Sequence, residues 1–251
     1  MLIFYLYTKI KKMKRFIPFL LMILVFSSCH YFSGERVRGD GNVVRQSRNV
    51  DSFNGVDVSG AIAVYVKQDS SYSVEVEIDN NLQEYIEVYE KNGILHIHQR
   101  NNTSLKTSTK TKVYVSAPAF ELMEASGACS ITSDNQLQAA NKIDIDVSGA
   151  SHINLDIRSP KTMIDASGAG SIELKGETKD LIVDGSGSTD IKAFELLTES
   201  TDVHLSGAGD AEVYASVRLD ARISGAASVR YKGNASVNSD ISGAGKVKKI
   251  E

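Results

Sequence analysis

A chain of 251 residues with 42% hydrophobic content is long enough to bury a sizeable core and too apolar for a disordered protein. Tryptophan is absent, and 19 glycines against 3 prolines, set between short Val/Ile runs, favour many strands joined by tight turns over helices. Two cysteines exclude a disulfide-stapled scaffold, and once residues 1–28 are set aside 23 Lys and Arg face 31 Asp and Glu, a net charge of −8 that repels nucleic acid.

At the N-terminus, Lys9, Lys11, Lys12, Lys14 and Arg15 precede the apolar run FIPFLLMILVF, which is shorter than a membrane span and ends at Ser27-Ser28-Cys29. Residues 1–28 are therefore expected to be a signal peptide, with Met1 or Met13 as its start. Small residues directly before a cysteine resemble a bacterial lipobox, although Phe26 stands where leucine is usual. That resemblance implies a lipid on Cys29 and a membrane as the first partner. With Cys29 so used, Cys129 has no disulfide partner and reads as a small buried or turn residue. Residues 29–49, with Gly34, Gly39 and Gly41, are expected to be a flexible tether, and residues 50–251 the folded domain.

Within that domain, residues 50–120 and 121–251 differ in pattern. VDVSGAIAVYV, from Val56 to Val66, looks like a first coil of a repeat, whereas VEVEID, ILHIHQ and KVYVSAP read as longer alternating strands. Asn92-Gly93 before ILHIH signals a hairpin. The region is expected to be one coil with an antiparallel excursion of about 45 residues that caps one end of the fold. His96 and His98 alternate on one strand face, the arrangement of half a metal site, but further ligands are missing nearby and a solvated face is the simpler reading. No metal and no cofactor is expected.

From residue 121 onward the chain repeats. Ser-Gly recurs at Ser126, Ser148, Ser167, Ser186, Ser206, Ser224 and Ser242, with an earlier copy at Ser59, and after Ser126 the spacings are 22, 19, 19, 20, 18 and 18 residues. A period of that size marks a solenoid. One, three and five places before the serine stand residues such as Val147, Ile145 and Ile143; five places after it stand Ile131, Ile153, Ile172 and Ile191. Alternation on both sides of a glycine corner predicts two half-buried strands per coil. The expected fold is all-β: a single-stranded, right-handed parallel β-helix of about 18–22 residues per coil. Lys246, Lys248 and Lys249 place charge on its last strand, a defence of an open edge.

One outward column is acidic. Glu124, Asp146, Asp165 and Asp184 stand two places before their corner serines, and the column continues as His204, Arg222 and Asp240. Stacked coils hold neighbouring carboxylates about 5 Å apart, the separation of a retaining glycosidase pair, so a β-helical polysaccharide lyase or glycoside hydrolase is one reading. Short coils leave no cleft, however, and the four acids read better as a candidate weak cation or ligand face than as catalysts. The Gly185-Ser186-Gly187 corner imitates a nucleophile elbow, but every coil has such a corner and no Ser, Asp and His set is placed for it. No residue is assigned to catalysis.

Taken together, the lipobox, RNVDSFNGVDVSGAIAVYVKQ, NGILHI, VYVSAP and the train of SGA and SGAG corners resemble the head GIN domain family of putative auto-transporter adhesins. The likeness runs from about Phe53 to Gly245, nearly the whole exported chain. It implies a β-helical domain, export in the manner of Bacteroidota lipoproteins, and no catalytic residues. The expected protein is a non-enzymatic, lipid-anchored outer-membrane lipoprotein whose rigid face meets a glycan or an envelope protein, with a scaffolding role in the envelope as a third possibility. Surface lipoproteins of that group often carry several acids after the cysteine, whereas HYFSGE supplies only Glu35, which leaves both periplasm and cell surface open. Oligomeric state is not legible.

Overall fold

The computed structural model describes residues 34–251. The expected signal peptide, Cys29 and the first residues of the tether lie outside them. Strand accounts for 70% and helix for 3%, arranged as a β-solenoid of about six turns, the fold class expected. Alternation explains why. Along 152–168 the residues Ile153, Leu155, Ile157, Ile164 and Ala166 are buried, whereas Asn154, Arg158 and Asp165 between them are exposed.

Stacking follows the repeat. Residues 152–168 run parallel to 171–187 from His152↔Ser171 to Gly168↔Gly187, and those run parallel to 190–207 up to Gly187↔Gly207. The 20-residue spacing is absorbed by a register shift between Glu173 and Lys175, opposite which the neighbouring coil carries one more residue. Coil on coil, the inward residues become apolar ladders such as Ile145↔Ile164↔Val183↔Val203↔Ala221.

The glycine corner has a steric cause. Gly207 sits at φ 119, and a Cβ there would lie 2.4 Å from the carbonyl oxygen of Gly187 one coil back. That same oxygen accepts a hydrogen bond from the Ala208 N–H at 2.8 Å, so the coils are joined through the space a side chain would need.

At the opposite corner the interior is polar. Ser159, Thr162, Thr178, Thr198 and Thr201 are buried, with Ser159 Oγ 2.9 Å from Thr162 Oγ1 and Thr198 Oγ1 2.7 Å from Thr201 Oγ1. Thr201 Oγ1 also lies 3.0 Å from the Tyr214 carbonyl as a donor. These hydroxyls satisfy one another and the backbone where the chain bends, which makes their burial tolerable.

The N-terminal region departs from expectation in two ways. The coil formed by 55–60 and 62–68 lies inside the stack: 122–127 and 130–133 flank it on one side, 94–99 and 111–117 on the other, all parallel. The expected antiparallel excursion therefore contributes one further parallel layer. Its antiparallel part is 86–91 on 94–99 and 73–79 on 111–117. The Asn92-Gly93 hairpin is present, with φ 57 and 80.

The tether also needs correction, because 35–38 and 43–48 are strands and 43–48 pairs antiparallel with 73–79. Polar cross-strand contacts hold 43–48 in place: Arg45 Nη2 meets Glu77 Oε2 at 2.8 Å and its guanidinium covers the Tyr114 ring at 3.8 Å, while Arg48 Nη2 donates to Gln83 Oε1 at 2.7 Å. Asp79, fully buried, closes the layer by accepting from the Gly41 and Ser108 N–H groups, each at 2.9 Å, and from the Ser108 hydroxyl.

The far end of the solenoid is open. Residues 236–243 are exposed throughout, and Val237 and Ile241, on the core side of the stack, are 38% and 40% accessible. Among the described residues no helix is long and apolar enough to cross a membrane.

Candidate ligand face

Because each coil closes in tight corners, the outward columns are the surface. The column two places before the corner serines runs His96↔Asp57↔Glu124↔Asp146↔Asp165↔Asp184↔His204↔Arg222↔Asp240. All four acids picked out in the sequence stand in it, on successive coils. Asp57 and His96 extend it and were not foreseen. Asp57 carries the signal, since it too stands two places before a corner serine, Ser59; His96 joins only through the parallel pairing of 94–99 with 55–60.

The acidic stretch is electrostatically strained. Burial, and then the neighbouring Asp57 and Asp146 carboxylates, hold the Glu124 carboxyl above its ordinary range; burial, and then Asp165 and Asp144, do the same to Asp146. Asp57 is paired with His96, whose Nδ1 is 2.8 Å from its Oδ2. A shallow groove of about 450 Å³ runs along this stretch from Asp57 to Asp165.

Beyond Asp165 the chemistry changes. His204 Nδ1 is 3.1 Å from Asp184 Oδ1, and its Nε2 is 2.5 Å from Arg222 Nη1. A guanidinium only donates, so Nε2 accepts and Nδ1 carries the proton that faces Asp184. A second groove of about 460 Å³ lies here, walled by Asp184, His204, Arg222 and Asp240 on one side and by the corner serines on the other. The chain at Leu205 and Ile223, whose side chains are buried in the core, passes beneath it, and Asp165 belongs to both grooves.

This arrangement does not assemble a serine nucleophile. The imidazole nitrogen that would activate Ser186 or Ser206 is held by Arg222, so Asp184 and His204 do not complete a triad. The acids of the ladder stand one coil apart in a shallow groove open to solvent rather than in an enclosed cleft. Cys129 is buried, which raises its thiol above the ordinary range and leaves it unreactive.

The histidines of 94–99 are each paired with an acid, His96 with Asp57 and His98 Nε2 with Glu87 Oε2 at 3.0 Å, and Tyr89 stacks on the His96 ring at 5.1 Å. Among the described residues no group of three or more His, Cys, Asp and Glu is placed to hold a metal.

Three solved structures share this architecture over their full length. A putative adhesin from Bacteroides fragilis NCTC 9343 superimposes with a TM-score of 0.81 at 20% identity, covering 85% of this chain and 100% of its own. A putative lipid binding protein and a putative adhesin, both from Parabacteroides distasonis ATCC 8503, give TM-scores of 0.67 and 0.66 at 20% and 26% identity, each covering 86% of this chain and 100% of its own. No curated protein matches the chain. The family model described as "Putative auto-transporter adhesin, head GIN domain" matches residues 52–235, from just before the first coil to the last complete one, and the chain belongs to that family.

Proposed function

We propose that this protein is a non-enzymatic, lipid-anchored component of the cell envelope that works as an adhesin-type binding scaffold, its ligand meeting the face that runs from His96 to Asp240. The observation that carries the reading is the continuity of that face. One outward column and the row of corner serines beside it lie side by side on successive coils, without a loop between them to build a catalytic cleft. A solenoid is suited to this role because its coils are pinned to their neighbours along their whole length, so the face is presented pre-organised. Membership in an adhesin family supports a place in the envelope, and the charged head and apolar run before Cys29 support export.

The lipid sits on Cys29 in this reading. Wild type should fractionate with membranes, and Cys29→Ser should leave an unprocessed or soluble precursor; equal partitioning of both would remove the anchor. Protease treatment of intact cells then places the domain, which is digested if it faces outward and protected if it faces the periplasm.

A further inference from the structure

The groove walled by Asp184, His204, Arg222 and Asp240 differs from the acidic stretch beside it, and the difference points to a ligand class. We infer that this groove binds a linear, uncharged glycan, lying along the solenoid axis with one sugar ring per coil. The inference rests on the binding-scaffold reading above and names the substrate class of the same face.

Spacing is the first argument. Both walls repeat once per coil, at about 4.8 Å, so the occupant must be an extended chain whose polar groups recur at nearly that interval. An extended peptide presents same-side groups every two residues, about 6.8 Å, and falls out of step within a few coils. A chain of equatorially linked pyranose rings advances by close to one coil per ring; each ring is turned over relative to the last, so like groups recur every second ring, close to two coils, with other hydroxyls meeting the wall between them.

Chemistry is the second. Asp184 and Asp240 accept, and the corner serines from Ser206 to Ser242 both donate and accept. Arg222 uses one N–H on His204 Nε2, and its remaining donors suit further acceptors. Hydroxyls of a sugar need this mixture of donors and acceptors. Charge is the third. Arg222 stands between Asp184 and Asp240, so a polyanion meets carboxylates at both ends, whereas a polycation is drawn to the acids from Asp57 to Asp165. His204 is a positioning residue here, holding Arg222 in line with the wall.

The test is titration calorimetry of the full-length, detergent-solubilised protein with three neutral hexasaccharides, cellohexaose, laminarihexaose and maltohexaose, and with hexalysine and oligogalacturonate as charged controls. The extended cellohexaose should bind best, with affinity unchanged between low and high salt. Arg222→Ala should weaken it by about tenfold, the loss of one charge-assisted hydrogen-bond set. Glu173→Gln, on the opposite face, should leave it unchanged. Should Arg222→Ala melt below wild type, Asp240→Asn at the exposed end of the same wall supplies the same comparison. Binding of no neutral hexasaccharide, salt-dependent binding of hexalysine alone, or an Arg222→Ala variant with wild-type affinity would each overturn the inference. If the protein meanwhile fractionates with membranes and is digested on intact cells, the scaffold reading survives that failure; if it is soluble and unprocessed, the scaffold reading fails by itself.

Discussion

The coils from Leu122 onward, stacked in parallel, and the layer built from residues 43–117, where parallel and antiparallel pairings mix, are specified by different means. In the coils each inward residue meets its own counterpart one repeat away, so the same small set of contacts is made many times. In the N-terminal layer the contacts are singular. Gln83, 6% exposed, donates from Nε2 to the carbonyls of Val44 at 2.9 Å and Val76 at 3.1 Å and accepts from Arg48, while Asp79 ties two loops together. A repeated contact can be lost once and replaced by neighbours of the same kind. A singular buried polar contact leaves its partners unsatisfied.

The largest effect that breaks this comparison is expected at Asp79. Asp79→Ala takes the acceptor from the N–H groups of Gly41 and Ser108, and a hydrogen bond to a charged group is worth about 1.5–3 kcal/mol. Amide protection should collapse in residues 39–48 and 106–111 while the coils keep theirs. Acid should act in the same place. The Ser108 hydroxyl, ahead of the backbone donors, holds the Asp79 carboxyl below its ordinary range, so its contribution is present above the unfolded-state value and is lost as pH falls through the lower folded-state value.

Glu124 and Asp146 carry the opposite sign. Their folded-state values are raised, so ionisation penalises the fold above those values, and the penalty is relieved as pH falls toward the unfolded-state value. Hydrogen exchange followed from neutral to acid pH should therefore show the N-terminal layer loosening while the coils around Glu124 and Asp146 hold. A uniform response of both regions would contradict the distinction.

Next in size are the corners. Gly207→Ala combines a positive φ, costing about 1–3 kcal/mol, with a clash against the Gly187 carbonyl, whereas Gly41→Ala, at φ 82 with open space around it, carries the conformational cost alone. Urea unfolding should rank Gly207→Ala well below Gly41→Ala. The smallest effect has the opposite direction: Asp146→Asn removes a partly buried charge beside Asp165 and should raise Tm by about a degree or two in a thermal melt.

What the sequence revealed follows the same division. The corner serines and the residues one, three and five places before them share fixed offsets, and local alternation decides which way each points, so the coils and the acidic column were legible. The pairing of 43–48 was not, because its partner 73–79 lies across an intervening coil and the strand itself is Val-Val followed by polar residues. Of the hydroxyls buried at the second corner, Thr162 and Thr201 stand five places before their corner serines and so in an inward column, whereas Ser159, Thr178 and Thr198 escaped notice although they recur at the spacing of the corner serines. These polar residues recur because each coil must bend at the same place.

The central claim is that adjacent residues on one strand divide cleanly into core and face, which lets the face vary for binding without disturbing the fold. Ile172 and Glu173 test it most directly, one fully buried and the next exposed. In paired urea melts Ile172→Asp should lose several kcal/mol, since a charge enters the inward ladder, while Glu173→Lys should stay within about half a kcal/mol of wild type. Comparable losses in the two variants would contradict the account.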